Sequence, residues 1–202
     1  MSTAGPARGR RPGSADTRAR ILDAARAAFA ERGFDGATVR DVAARAEVDP
    51  ALVHHYFATK QRLFVEAMEL PVNFATAVPA LLAGPPDEVG ERFVRFVLSL
   101  WDRPDVRPLW LGLIRSATTD PVAAAMMRGL LEQGPLRVLA NAIDRPDAAL
   151  RASLAGSQFI GLILARYVVE VEPLASLDEE RLIRLIGRTI QHYLAGDLGA
   201  PA

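Results

Sequence analysis

Along most of the chain the apolar positions return every three or four residues, and no strand alternation appears in its C-terminal part, so the pattern predicts an all-α protein. The first stripe is Ile21, Leu22, Ala25, Ala28 and Phe29, opened by Asp16 or Thr17 and stopped by Gly33. Thr38, with Asp41 three residues on, spells a capping box, and Val42, Ala43 and Ala46 give the helix after it one apolar face. The pattern breaks at Glu47-Val48-Asp49. Asp49 caps a further helix with Pro50 in its first turn, where a missing N–H is harmless. Val53 and Phe57, four apart, turn one side of this helix inward and leave His54, His55 and Tyr56 mostly on the other. Thr59 caps a helix that opens with Lys60, carries Leu63, Phe64, Ala67, Met68 and Leu70, and ends before Pro71.

Helical punctuation continues through the rest of the chain. A short apolar segment runs from Asn73 to Leu82, and Asp87 opens a stronger helix bearing Val89, Phe93, Phe96, Val97, Leu100 and Trp101. Helices are expected from about Val106 to Thr118 and from Pro121 to Gln133, after which Gly134-Pro135 and Arg145-Pro146 act as breaks. Two long helices finish the chain, from Asp147 to about Glu170 and from Asp178 to about Ala195. The first is nearly free of charge between Ser153 and Ala165, so both of its sides are expected to be buried. Its small residues, Ala155, Gly156, Gly161 and Ala165, are expected to let another backbone come close.

A helix, a three-residue turn and a second helix with polar aromatics outward is the helix-turn-helix arrangement, whose second helix enters the DNA major groove. The stretches TRARILDAARAAFAERGF, TVRDVAARAEV and ALVHHYFATKQRLF, with Phe57 and Lys60, resemble the DNA-binding domain of the TetR (tetracycline-repressor) family of bacterial regulators. The resemblance runs from Asp16 to Met68, about a quarter of the chain, and the helical layout matches throughout. Two positions depart from the family pattern: Glu47 stands where Gly is usual, and His54 where Tyr is frequent. The resemblance implies a helix-turn-helix DNA-binding domain over 16–62 and a larger helical ligand-binding and dimerisation domain over 63–202. It also implies a ligand-responsive regulator, most often a repressor, that binds a pseudo-palindromic operator as a homodimer through its last two helices.

Charge sharpens this reading. The 202 residues carry a net charge of zero, but unevenly. Residues 1–62 hold ten Arg and one Lys against seven acids, a balance of +4, and the remainder holds thirteen Arg against seventeen acids, a balance of −4. A basic head on an acidic body suits phosphate contact. Residues 1–15, rich in Gly, Pro, Ser and Arg, read as a disordered basic arm, whose Arg8, Arg10 and Arg11 either enter a minor groove or form a solubilising tail. In the second helix of the motif, Pro50, Ala51 and Leu52 are candidates for thymine methyls and sugar, and His54 and His55 for base edges or phosphates. Thr38, Arg40, Tyr56 and Lys60 are candidates for phosphate clamping. Candidates for an effector pocket in the body are Phe74, Trp101, Trp110, Arg115, Gln158, Phe159 and Tyr167, which together imply a mostly apolar or aromatic small molecule.

Catalytic chemistry finds no foothold. There is no Cys, and the motifs HExxH, GxSxG and the Walker glycine loop are missing. His54 and His55 are neighbours about 100° apart on a helix and do not converge on one metal. No cofactor, metal or enzymatic activity is expected. No run of about 18 uncharged apolar residues suggests a membrane span, and Arg8, Arg10 and Arg11 precede no apolar signal segment, leaving the cytoplasm as the default location. The alternative reading is a helical ligand-binding or adaptor protein that does not bind DNA.

Overall fold

The computed structural model describes residues 14–68 and 72–199, so the arm 1–15 falls almost wholly outside the described residues, as do Leu70 and Pro71. Helix α1 (Ser14–Gly36) is interrupted near its end by Gly33, whose φ of 69° breaks the ladder where the sequence placed a stop. Helices α2 (Val39–Arg45), α3 (Pro50–Phe57) and α4 (Lys60–Ala67) follow. Each begins as its cap dictates. The Thr38 hydroxyl accepts from Asp41 N while the Asp41 carboxylate accepts from Thr38 N, Asp49 accepts from Ala51 N, and Thr59 accepts from Arg62 N.

Ile21, Ala25, Phe29, Val42, Val53, Phe57, Leu63 and Phe64 close one core, with Phe29, Phe34 and Phe64 in edge-to-face or stacked contact. That core does not end at the expected boundary after residue 62. It takes in Leu63 to Met68 and also Leu109, Leu113 and Ala123 from the body.

The body contains α5 (Phe74–Leu82), a 3₁₀ turn (Pro86–Glu88), α6 (Val89–Trp101), α7 (Arg107–Ala117) and α8 (Pro121–Gln133). Helices α9 (Pro135–Ala142), α10 (Ala148–Ile163) and α11 (Glu179–Ala195) complete it, with a π turn (Leu164–Val168) after α10. Helix α9 lies where the sequence showed only breaks. Pro135 occupies its first turn, so Gly134-Pro135 starts a helix rather than ending one. The expected long helix to about Glu170 runs to Val168, its last turn widened into the π turn, and the backbone reaches φ 56° at Glu170.

Within one chain α10 buries one side, through Ala152, Ala155, Phe159 and Leu162, and leaves Leu150 and Ile160 exposed, as Leu164 is in the π turn. Its glycines meet no other backbone of the same chain. A Cβ at Gly161 would meet nothing within 4 Å, and one at Gly156 would meet only the Leu136 side chain. The close crossing lies instead between α6 and α11, where a Cβ on Gly90 would fall 2.0 Å from the Gly187 carbonyl oxygen. The helical stretch Ala148–Val168 is long and apolar enough, by length and composition, to cross a membrane. Within it, however, the buried Arg151 donates from Nε to Asp147 at 2.7 Å and from one terminal nitrogen to the carbonyls of Tyr193 and Gly196 at 2.8 and 2.9 Å. This guanidinium ties the start of α10 to the end of α11.

Candidate DNA-binding face and internal cavity

Helix α3 is anchored by Val53 and Phe57, each 1% exposed, and so presents its opposite side to solvent. Pro50, Ala51, His54 and His55 are exposed there, and Leu52 is half-buried. The His54 ring sits 3.3 Å from the Ala58 carbonyl through Nδ1. His55 meets Tyr56 edge-on at 5.5 Å. Tyr56 is less outward than its neighbours, because its ring packs on the head core beside Phe57.

On the flanks, Thr38 and Arg40 are exposed, and Arg40 forms no ion pair with any described residue. The Thr38 hydroxyl is committed to Asp41, to which it donates at 2.7 Å. That bond holds the Asp41 carboxyl below its ordinary range. Lys60 is half-buried: Nζ donates to the Asp35 carbonyl at 3.3 Å and lies 4.5 Å over the Phe34 ring. Burial pulls its pKa down, while the nearby Asp35 and Asp120 push it back up.

The turn before α3 is a Schellman cap. Val48 N donates to Ala43 O at 3.0 Å and Glu47 N to Ala44 O at 3.2 Å, which requires a left-handed residue at Glu47, found at φ 52°.

In the body, a cavity of about 150 Å³ opens among α5 to α10. Of the sequence candidates, Phe74, Trp101, Trp110 and Phe159 line it. Tyr167 stands one ring away, its centroid 5.6 Å from that of Trp101, with the Arg107 guanidinium 4.8 Å from its own. Arg115 is exposed and Gln158 half-buried, and neither lines the cavity, since on α7 and α10 their side chains turn away from the apolar stripe. Ile114, Met127, Leu131, Leu136 and Leu139 are among the wall residues that the sequence reading missed. Two of these sit on α9, and the signal that could have found them is the first-turn proline of that helix. A second hollow, lined in part by Phe74, Trp110 and Pro135, reaches Met68 at the end of α4.

Against this geometry stand the comparisons with known proteins. Residues 21–67 match the family model for bacterial regulatory proteins of the tetR family, and residues 87–194, more than half of the chain, match the tetracyclin repressor-like C-terminal domain. The chain belongs to the TetR family. A TetR-family regulator from Streptomyces coelicolor A3 shares 41% of its residues over 93% of this chain and 99% of its own, with a TM-score of 0.64. The multidrug binding protein EbrR, solved with ethidium, shows the same fold at a TM-score of 0.62 and 24% identity over 88% of this chain and 99% of its own. An uncharacterised helix-turn-helix regulator of Mycobacterium tuberculosis is 29% identical over 53% of this chain. The matched stretch spans half the length of that curated relative.

In this TetR-family chain one helix borders both the cavity and the head. Trp110 and Ile114 of α7 line the cavity, while Gly112 lies against α1 so closely that a Cβ there would stand 2.8 Å from the Phe29 carbonyl oxygen. One turn on, Ser116 Oγ accepts from Phe34 N at 3.2 Å. A polar bridge runs beside this seam, where the Asp35 carboxyl of the head is held above its ordinary range by a hydrogen bond with Asp120, the N-cap of α8.

Proposed function

We propose that this TetR-family regulator acts as a homodimeric repressor that reads a pseudo-palindromic operator in double-stranded DNA and lets go when a small apolar or aromatic molecule fills the body cavity. The observation that carries the reading is the outward face of α3, where Ala51, His54 and His55 stand exposed on a helix locked from behind by Val53 and Phe57. In the major groove Pro50, Ala51 and Leu52 meet thymine methyls and sugar, and His54 and His55 meet base edges or phosphates. Arg40 and Thr38 flank them on the phosphates, with Tyr56 beside them. Lys60, already tied to Asp35 and Phe34, adds positive field at the α4 N-terminus more than a free clamp.

The exposed apolar residues Leu150 and Ile160 on α10, Leu164 in the π turn and Leu185 on α11 support pairing of two copies through these helices. Two α3 faces then read half-sites about one turn of DNA apart. Cavity filling shifts α7, which carries α1 with it, while the second hollow reaches α4. Ligand and operator thereby favour different head spacings, and each weakens the other's binding. That EbrR, of like fold, holds ethidium fits a body of this kind taking aromatic guests.

The test is anisotropy titration of labelled duplexes from the region upstream of its own gene, repeated at several salt concentrations. Arg40→Ala should weaken all sequences alike and flatten the salt slope by about 1, whereas His54→Ala should change the ranking of operator variants. A dimeric protein with no salt-dependent duplex binding refutes the reading in favour of a ligand-binding protein without DNA. An unchanged ranking in His54→Ala refutes base readout at that position.

A further inference from the structure

Five aromatic rings converge on the body cavity from four helices: Phe74 of α5, Phe93 and Trp101 of α6, Trp110 of α7 and Phe159 of α10. Phe93 and Phe159 already meet, their centroids 5.5 Å apart and their planes tilted by 56°. Aliphatic side chains such as Leu139 and Ile163 stand beside the rings. No lining side chain is an acid, a base, an amide or a hydroxyl. The indoles add no donor, because each Nε1 is itself buried and what meets the hollow is ring carbon. A water molecule held in such a space needs roughly two to four polar partners, which these side chains do not supply. The cavity is therefore built to be dry.

We infer that the cavity takes a neutral monocyclic aromatic hydrocarbon of the toluene or xylene kind, held by shape and ring contact without a hydrogen bond. The inference rests on the reading of the cavity as the effector site and narrows the effector to one chemical class. Volume sets the size: about 150 Å³ equals an engineered cavity, lined by Leu, Ile and Phe, that stays dry and holds benzene. The walls set the charge. An anion would leave water for a lining without a cation, and a cation for one without a carboxylate. Ring faces attract a cation, but by far less than the hydration it gives up. Rings also favour a ring, because edge-to-face contact with an arene adds to what its buried area gains. This body thus differs from that of EbrR, whose ethidium is a polycyclic cation.

Calorimetric titration of the full chain with toluene, methylcyclohexane, phenol, benzylammonium and ethidium separates these cases. Toluene should bind at one site per chain. Corrected for octanol–water partition, methylcyclohexane should bind about 2–12-fold more weakly, the span of one aromatic pair. Phenol, of nearly the same shape as toluene, should have a dissociation constant at least about 5-fold higher, since its hydroxyl finds no partner. Benzylammonium and ethidium should bind most weakly of all. Intermolecular nuclear Overhauser effects from the toluene methyl should reach Leu139 and Ile163, which line this cavity and not the second hollow. Absent toluene binding, phenol or either cation binding as tightly as toluene, no preference over methylcyclohexane, or contacts elsewhere overturns the assigned class. Operator anisotropy with each probe tests the underlying reading separately. Toluene seated in the cavity with operator affinity unchanged overturns the effector role and leaves the guest class standing. Release of the operator by ethidium where toluene does not bind overturns the class and leaves the effector role standing.

Discussion

Replacing Glu47 by Gly should stabilise the protein, because the Schellman turn between α2 and α3 places a Cβ-bearing residue at φ 52°. A left-handed conformation costs an L-residue about 1–2 kcal/mol, and Gly is spared it. Glycine in turn gives the unfolded chain more freedom, which takes back about 0.4–1 kcal/mol. The side chain lost does little, since the Glu47 carboxylate is 87% exposed and only 3.9 Å from Arg20, an arrangement that contributes little at a surface. Arg20 keeps its other partner, the Ala46 carbonyl, at 2.5 Å. The net gain is about 0.5–1 kcal/mol, a rise in melting temperature of about 1–4 °C for a chain of this size. Thermal melts followed by circular dichroism on wild type, Glu47→Gly and Glu47→Ala test this, with Glu47→Ala keeping the Cβ and so showing no gain. A Glu47→Gly melting temperature at or below wild type, or an equal gain in both variants, refutes strain at this position as its source.

Gly90→Ala should be among the most damaging single-methyl changes, costing about 1–3 kcal/mol or more, because the new carbon would stand 2.0 Å from the Gly187 carbonyl oxygen and two helices must part. A urea midpoint within error of wild type would show that α6 and α11 do not cross at this distance. Leu164→Arg combined with Leu185→Arg should turn the proposed dimer into a folded monomer in sedimentation velocity, and a dimer that persists would place its interface elsewhere. The guanidinium of Arg151 holds the Asp147 carboxyl below its ordinary range. The stabilisation from this pair is therefore full above the unfolded value near pH 4 and lost as pH falls through the lower folded value. Asp147→Asn should lower the urea midpoint at pH 7, and the gap to wild type should close as pH drops from 5 to 3; a gap independent of pH refutes the linkage.

How far the sequence could be read depended on whether a residue's role was local. Caps are local, so Thr38, Asp49 and Thr59 marked the starts of α2, α3 and α4 correctly, and the stripe of Val53 and Phe57 correctly turned the histidines outward. The departure at Glu47 was visible only through the family resemblance, which has Gly there, and the φ of 52° shows what it does to the turn. Cavity walls are set by packing between helices, which period alone does not give. Thus the rings Phe74, Trp101, Trp110 and Phe159 converged, while Arg115 and Gln158, chosen for polarity, did not reach the cavity. Lys60 shows the same limit: nothing near it in sequence revealed that the Asp35 carbonyl, 25 positions away, would take its ammonium. Within the chain the tight crossing is at Gly90 and Gly187, single glycines in otherwise ordinary helices that periodicity does not single out.

The seam at Gly112 has a consequence for how such a protein can diversify. At Gly112 the contact with α1 is main chain against main chain, flanked by Leu109, Leu113 and Ser116, and the cavity side carries Trp110 and Ile114. A side chain such as Ile114 on the cavity flank can be exchanged while Gly112 keeps its fit to Phe29. Recognition of a new molecule and delivery of its message to the head are thus carried on opposite flanks of a single rod, and one can be rewritten without erasing the other.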